Sequence, residues 1–294
     1  MTENLTLSHA KQKPKPAIRV YLGGSFDPVH NAHIQMAMQV YNTLLPLANR
    51  QRKLHVSLLP NARSPFKDNS TDPKQRLAML ILAVQNTPLQ INELELWQDP
   101  PVYTIDSVRT LRQRYPHDIL MFIMGMDSAR SLDKWKQGLQ LTNYVNLWIF
   151  DRSDSDKIQA TEAIANNTVN NEKLADKALV SDSQLDSLIN ELPHSLKSQV
   201  TTSIKDLLTP FDVALGDNES LKNSTLKTQV KGRIYIDTQS IIKISSSEIR
   251  RQLFELYTAA PIKDNVIKDH YYLSKYLDSA VYHYIMQHKL YSNA

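Results

Sequence analysis

Short apolar runs alternate with segments of helical period over the first 150 residues, and this alternation restricts the fold more than any other feature. Ile18–Leu22, Leu54–Leu59, Ile119–Met124 and Tyr144–Phe150 read as strands. Gly23-Gly24 stops the first, Pro60-Asn61 the second and Gly125 the third. Leu89–Leu96 reads as one more. Between them, Ile34, Ala37, Met38, Tyr41, Leu44 and Leu45 recur at spacings of three and four, and Pro73–Val84 and Tyr103–Arg114 read as helices of the same kind. Strands alternating with helices of this length imply βαβ units and a parallel sheet, hence a Rossmann-like, doubly wound α/β fold.

From about Ser153 to Lys231 the texture changes to Ser, Asn, Asp, Thr and Lys, with one glycine, Gly216. This stretch reads as a polar insertion, helical or partly disordered; Leu185, Leu188, Ile189 and Leu192 suit a short amphipathic helix. Strand texture resumes at Arg233–Ile236, a helix is expected from Ser246 or Ser247 to about Tyr257, and Lys268–Leu290 has helical register. The expected organisation is a disordered lead (1–17), one domain built from 18–152 and 232–294, and the insertion (153–231).

Composition excludes several classes. Among 294 residues there is no cysteine, which removes disulfide scaffolds, thiolate metal sites and a cysteine nucleophile. The net charge of +4 is spread thinly, so no nucleic-acid partner is expected. No apolar run reaches the length of a membrane span and the start lacks the apolar core of a signal peptide, so the expectation is a cytoplasmic protein without a membrane partner.

Six glycines make each one informative. Two of them open the segment Gly23-Gly24-Ser25-Phe26-Asp27-Pro28-Val29-His30-Asn31-Ala32-His33, which follows the first strand and leads into a helix. Ligands of open α/β sheets bind beyond the carboxyl ends of the strands, where a helix start points free N–H groups at an anion. His30 and His33 share a face of the first helical turn and can donate to phosphoryl oxygens. Ser245-Ser246-Ser247 offers a second anion site at a helix start, with Arg250 a turn later, although an ordinary N-cap accounts for the serines equally well.

The first segment resembles the GxFDPxHxGH signature of the nucleotidylyltransferase superfamily and, within it, the bacterial nicotinate-nucleotide adenylyltransferase family. Further motifs follow in order. Pro60-Asn61 through Pro65-Phe66-Lys67 is similar to the family's PN…PPHK loop, and Arg76 matches an arginine after it. Pro101–Asp106 resembles PSYTxDT, and Gly125-Met126-Asp127-Ser128 with Lys134-Trp135 resembles GxD…KW. Arg152 matches the arginine closing the next strand, and Ile244–Arg250 resembles ISSTxIR. Ala32 stands where the family has glycine, Phe66 where many relatives have histidine, and the insertion has no counterpart.

The resemblance implies transfer of the AMP moiety of ATP to nicotinate mononucleotide, giving nicotinate adenine dinucleotide and pyrophosphate in NAD biosynthesis. It assigns His30, His33, Lys67 and Arg250 to catalysis. It assigns Gly24, Ser25, Phe26, Gly125, Asp127, Ser245, Ser246 and Ser247, together with His30, His33 and Arg250, to ATP. It gives Thr104, Trp135 and Arg152 to the mononucleotide. Read on their own residues, Trp135 fits a half-buried structural role as well as a stacking one, Thr104 and Asp127 fit helix caps, and Arg152 fits a solvated cation. Mg²⁺ is expected to arrive with ATP, since no carboxylate cluster offers a protein cage. Nicotinamide mononucleotide or phosphopantetheine as acceptor, or a non-catalytic nucleotide sensor, are the alternatives. A class I aminoacyl-tRNA synthetase shares the His and serine motifs, but the chain is short for an added tRNA-binding domain. Monomer and homo-oligomer stay open.

Overall fold

A computed structural model describes residues 15–48, 51–62, 70–151, 182–210, 231–258 and 273–292. The apolar runs form β1 (Ile18–Gly24), β2 (Leu54–Pro60), β3 (Gln90–Ile91), β4 (Ile119–Gly125), β5 (Asn146–Phe150) and β6 (Ile234–Asp237). They pair as one six-stranded sheet in the order β3-β2-β1-β4-β5-β6, every pair parallel. The periodic segments form α1 (Asn31–Ala48), α2 (Pro73–Val84), α3 (Thr104–Arg114) and the short α4 (Met126–Arg130).

Side chains alternate across each strand, so both faces of the sheet are apolar. Ile18, Val20 and Leu22 of β1, with Ile119, Met121 and Ile123 of β4, point into one core; Tyr21, Leu120, Phe122 and Met124 point into the other. The first core is covered by α1, α2, α7 (Ser246–Thr258) and α8 (Ser279–Gln287), through residues such as Met36, Leu80, Leu253 and Ile285. The second is covered by α3 and by α5 (Asp182–Glu191) and α6 (His194–Lys197). This doubly wound α/β arrangement reverses direction between β1 and β4, and a crevice opens there beyond their carboxyl ends.

Three expectations change. The strand over Leu89–Leu96 shrinks to Gln90–Ile91, because the Asn92 side chain accepts from the Leu94 N–H and Leu96 N–H bonds Glu93 O, turning the chain out of the ladder. The helix expected over Lys268–Leu290 is broken: 273–276 is helical, then Asp278 caps α8 by accepting from Ala280 N–H at 2.8 Å. Residues 268–272 lie outside the described residues. The polar stretch is helical over Asp182–Glu191, as the spacing of Leu185, Leu188 and Ile189 suggests, but over 182–210 it is also woven into the domain. Leu188, Leu192, Leu196 and Leu207 are buried, Asn146 on β5 donates to Leu207 O at 3.0 Å, and Val200 bridges to Ile234 of β6. Polar composition concealed this because four leucines and backbone bonds do the anchoring. The lead up to residue 14, and 153–181 and 211–230 of the stretch, lie outside the described residues.

Candidate active site

Gly23 and Gly24 end β1 and hand the chain to a tight loop that starts α1 at Asn31. A Cβ at Gly23 would sit 2.4 Å from the Phe122 ring, so glycine here lets β1 and Phe122 of β4 meet at the cleft floor. Phe26 has φ 48 and is 1% exposed, with its ring edge-on to His33 at 4.9 Å. Its side chain is therefore a prop under His33, and the ring does not line the cleft. His30 and His33 stack with ring centroids 3.6 Å apart and planes 20° apart. The His30 backbone N–H donates to His33 Nδ1 at 3.3 Å, which places the His33 proton on Nε2 and gives that ring a donor there.

The loop carrying the histidines is gripped from three directions. Ser246 donates its hydroxyl to Pro28 O at 3.0 Å, and Arg250 Nη1 donates to Asp27 O at 2.6 Å. Arg250 Nη2 donates to Ser247 Oγ at 3.1 Å, while Ser245 Oγ accepts from Glu248 N–H as the cap of α7. Ser245 thus fills the capping role, and Ser246, Ser247 and Arg250 join the far end of the chain to the histidine loop. Arg76, fully buried, donates to Ser25 O at 2.8 Å, to Thr71 O at 3.1 Å and to Ala62 O, fixing two loops at once. Burial pulls the Arg76 guanidinium below its ordinary value and the charge of Asp27 opposes that shift. Asp27, 2% exposed, accepts from the Tyr291 hydroxyl at 2.7 Å and from Thr71 N–H at 3.2 Å.

A cleft of about 220 Å³ lies at the β1–β4 reversal. Gly24 and His33 line it, together with Thr104, Gly125, Asp127 and Trp135. Thr104 is the first residue of α3, whose cap position is Tyr103, so its hydroxyl is not spent on capping. Gly125 occupies the cap position of α4, which leaves Asp127 exposed in the first turn at the cleft edge. Trp135 is half-buried, packed on the second core and lining the cleft, so a structural role does not keep its ring from the cleft. Its place depends on Gly138: a Cβ there would lie 2.1 Å from Leu132 O and 2.8 Å from Trp135 Cβ.

Sequence reasoning passed over three residues and gave no role to a fourth. Glu95 is 7% exposed and lines the cleft, and burial raises its carboxyl above the ordinary value with the Ser107 side chain pulling the other way. Arg76 was matched only as a motif position, although it organises both loops. Gly138 and Tyr291 carried no motif at all. The one signal available for Glu95 was a carboxylate within an apolar run. Ala32 is fully buried inside α1 and is absent from the residues of positive φ, so alanine fits where the family has glycine. Lys67, Phe66 and Arg152 lie outside the described residues. Among the described residues no group of three or more His, Cys, Asp or Glu could hold a metal ion, and no helix is long and apolar enough to cross a membrane.

Comparison with known proteins adds an independent line. A family model described as cytidylyltransferase-like matches residues 21–252. A protein of Idiomarina loihiensis named "Probable nicotinate-nucleotide adenylyltransferase" is 26% identical over 276 residues, covering 93% of this chain and 99% of that protein. The "Nicotinate-nucleotide adenylyltransferase" of Bacillus subtilis (strain 168) is 39% identical over 127 residues, 42% of this chain and 63% of that protein. Among solved structures, "Plasmodium falciparum nicotinic acid mononucleotide adenylyltransferase complexed with NaAD" superposes with a TM-score of 0.54 at 16% identity, covering 94% of this chain and 97% of that one. That likeness shows a shared fold.

Proposed function

The chain belongs to the cytidylyltransferase-like family, and from that membership and the cleft at the β1–β4 reversal we propose that it transfers AMP from ATP to nicotinate mononucleotide. The products are nicotinate adenine dinucleotide and pyrophosphate, a step of NAD biosynthesis. The observation that carries the reading is the meeting of two sets of residues in one cleft. His33 and Gly24 offer a phosphate-binding edge, and Thr104 and Trp135 offer a surface for a planar ring. Relatives named as nicotinate-nucleotide adenylyltransferases support the choice of acceptor.

In this mechanism an oxygen of the acceptor 5′-phosphate attacks the α-phosphorus of ATP. The bond from that phosphorus to the bridging oxygen breaks, and pyrophosphate leaves with the electron pair. A phosphate monoester has a second pKa of about 6 and is largely dianionic at neutral pH, so no general base is needed. No covalent enzyme intermediate forms. The protein contributes position and positive charge. The His33 Nε2–H is assigned to the α-phosphoryl oxygens and His30 orders it by stacking. Arg250, Ser246 and Ser247, with Lys67, are assigned to the β,γ side, where charge accumulates on the leaving pyrophosphate. Thr104 faces the nicotinate carboxylate, Trp135 stacks on the pyridine ring, and Arg152 is assigned to the acceptor.

Mg²⁺ would come with ATP, held mainly by phosphates and water, and would offset phosphate charge there. Preference for nicotinate over nicotinamide follows if donors face the carboxylate, because an amide would bring its own N–H against them. The test is release of pyrophosphate from ATP, strictly dependent on nicotinate mononucleotide and a divalent cation.

A further inference from the structure

We propose that Tyr291 is a positioning residue for this reaction: through Asp27 it holds residues 25–30 in the arrangement that sets the His30–His33 pair. The inference rests on the functional reading above and adds to it a residue from the chain's last turn.

The loop needs an external hold. Phe26 sits at φ 48, a conformation side chains other than glycine adopt rarely, and Asp27 is a carboxylate with 2% exposure. The described residues give that carboxylate two hydrogen-bond donors, one on each oxygen: the Tyr291 hydroxyl on Oδ1 at 2.7 Å and Thr71 N–H on Oδ2 at 3.2 Å. Tyr291 is suited to be a permanent donor, since burial and the Asp27 charge both raise its hydroxyl far above the ordinary tyrosine value. Its own position is built. Leu290 N–H bonds Ile285 O at 3.0 Å, and the Tyr284 hydroxyl donates to Gln75 on α2 at 2.6 Å, next to the Arg76 that holds Ser25 O. Arg76 therefore holds Ser25, while Tyr291 and Arg250 both hold Asp27, three residues ahead of His30. Tyr291 does not line the cleft, so its action on the chemistry runs through Asp27.

The test uses the full chain with ATP, nicotinate mononucleotide and magnesium. Tyr291→Phe is expected to lower kcat about tenfold or more while KM for the mononucleotide stays within about twofold, because Thr104 and Trp135 are untouched. Combined with Asp27→Ala, it should lower kcat no further than the worse single variant, as expected of two groups acting as one unit. Asp27→Asn keeps an oxygen for the Tyr291 hydroxyl and should retain more activity than Asp27→Ala, which keeps the claim testable if Tyr291→Phe does not fold. A kcat within about twofold of wild type, losses that multiply in the double variant, or equal losses in the two Asp27 variants overturn the proposal. If the wild-type chain forms no dinucleotide, the functional reading fails instead. Binding of ATP then decides: about tenfold weaker in Tyr291→Phe supports the positioning role, and equal binding overturns it.

Discussion

The imidazoles of His30, just before α1, and His33, in its first turn, lie face to face with ring centroids 3.6 Å apart. The stack fixes the orientation of both rings, and the His30 N–H on His33 Nδ1 fixes which nitrogen of His33 donates. His33 is thus a preorganised donor at the edge of the cleft, the edge proposed for the phosphates. His33→Ala should reduce kcat by about 10²-fold or more, with little change in KM for the mononucleotide. Steady-state kinetics on both substrates check this, and an unchanged kcat removes His33 from the chemistry.

The turn presenting Trp135 predicts a different kinetic signature. The neighbour of a Cβ at Gly138 is the Leu132 carbonyl, backbone that cannot swing aside. Gly138→Ala should displace Trp135 and raise KM for the mononucleotide about tenfold or more, leaving KM for ATP nearly unchanged. Equal effects on both substrates would contradict the assignment of Trp135 to the acceptor.

Glu95 gives a pH dependence with a definite sign. Burial raises its carboxyl above the ordinary 4.5, so the folded chain keeps this proton to higher pH than the unfolded chain does. The stability it contributes is complete below the unfolded value and falls as pH rises toward the folded one. Glu95→Gln, which cannot ionise, should therefore gain stability relative to wild type as pH rises above about 4.3. Urea midpoints for both chains across that range decide it, and a constant difference would show that Glu95 does not titrate there.

Leu207 tests how deeply the polar stretch belongs to the domain. It is fully buried in the first core and its carbonyl is held by Asn146. Leu207→Ala should cost about 2–5 kcal/mol, measured by denaturant unfolding. A cost near zero would make 182–210 an appendage, and deletion of 156–228 would then be harmless.

Much of this was legible in the sequence for local reasons. Ile119–Met124 is apolar throughout and Ile18–Leu22 is so but for Arg19, which suits strands buried on both faces, and glycines follow both. His33, Thr104 and Trp135, which line the cleft, and His30, which stacks on His33, all sit in contiguous motifs. What the sequence hid depends on distance or on backbone. Tyr291 meets Asp27 across 264 positions, and Ser246 meets Pro28 across 218. Arg76 works by donating to carbonyls, which every residue has. Gly138 matters only because the Leu132 carbonyl lies where its Cβ would be. Leu94 and Leu96 continued an apolar pattern that Asn92 had already ended by turning the chain.

The most direct measurement is dinucleotide formation by the purified chain from ATP and magnesium, with nicotinate or nicotinamide mononucleotide as acceptor. The account predicts equal amounts of pyrophosphate and nicotinate adenine dinucleotide. It also predicts a kcat/KM for nicotinate mononucleotide at least about 10²-fold above that for the amide. Binding of ATP without any transfer to either acceptor would contradict it.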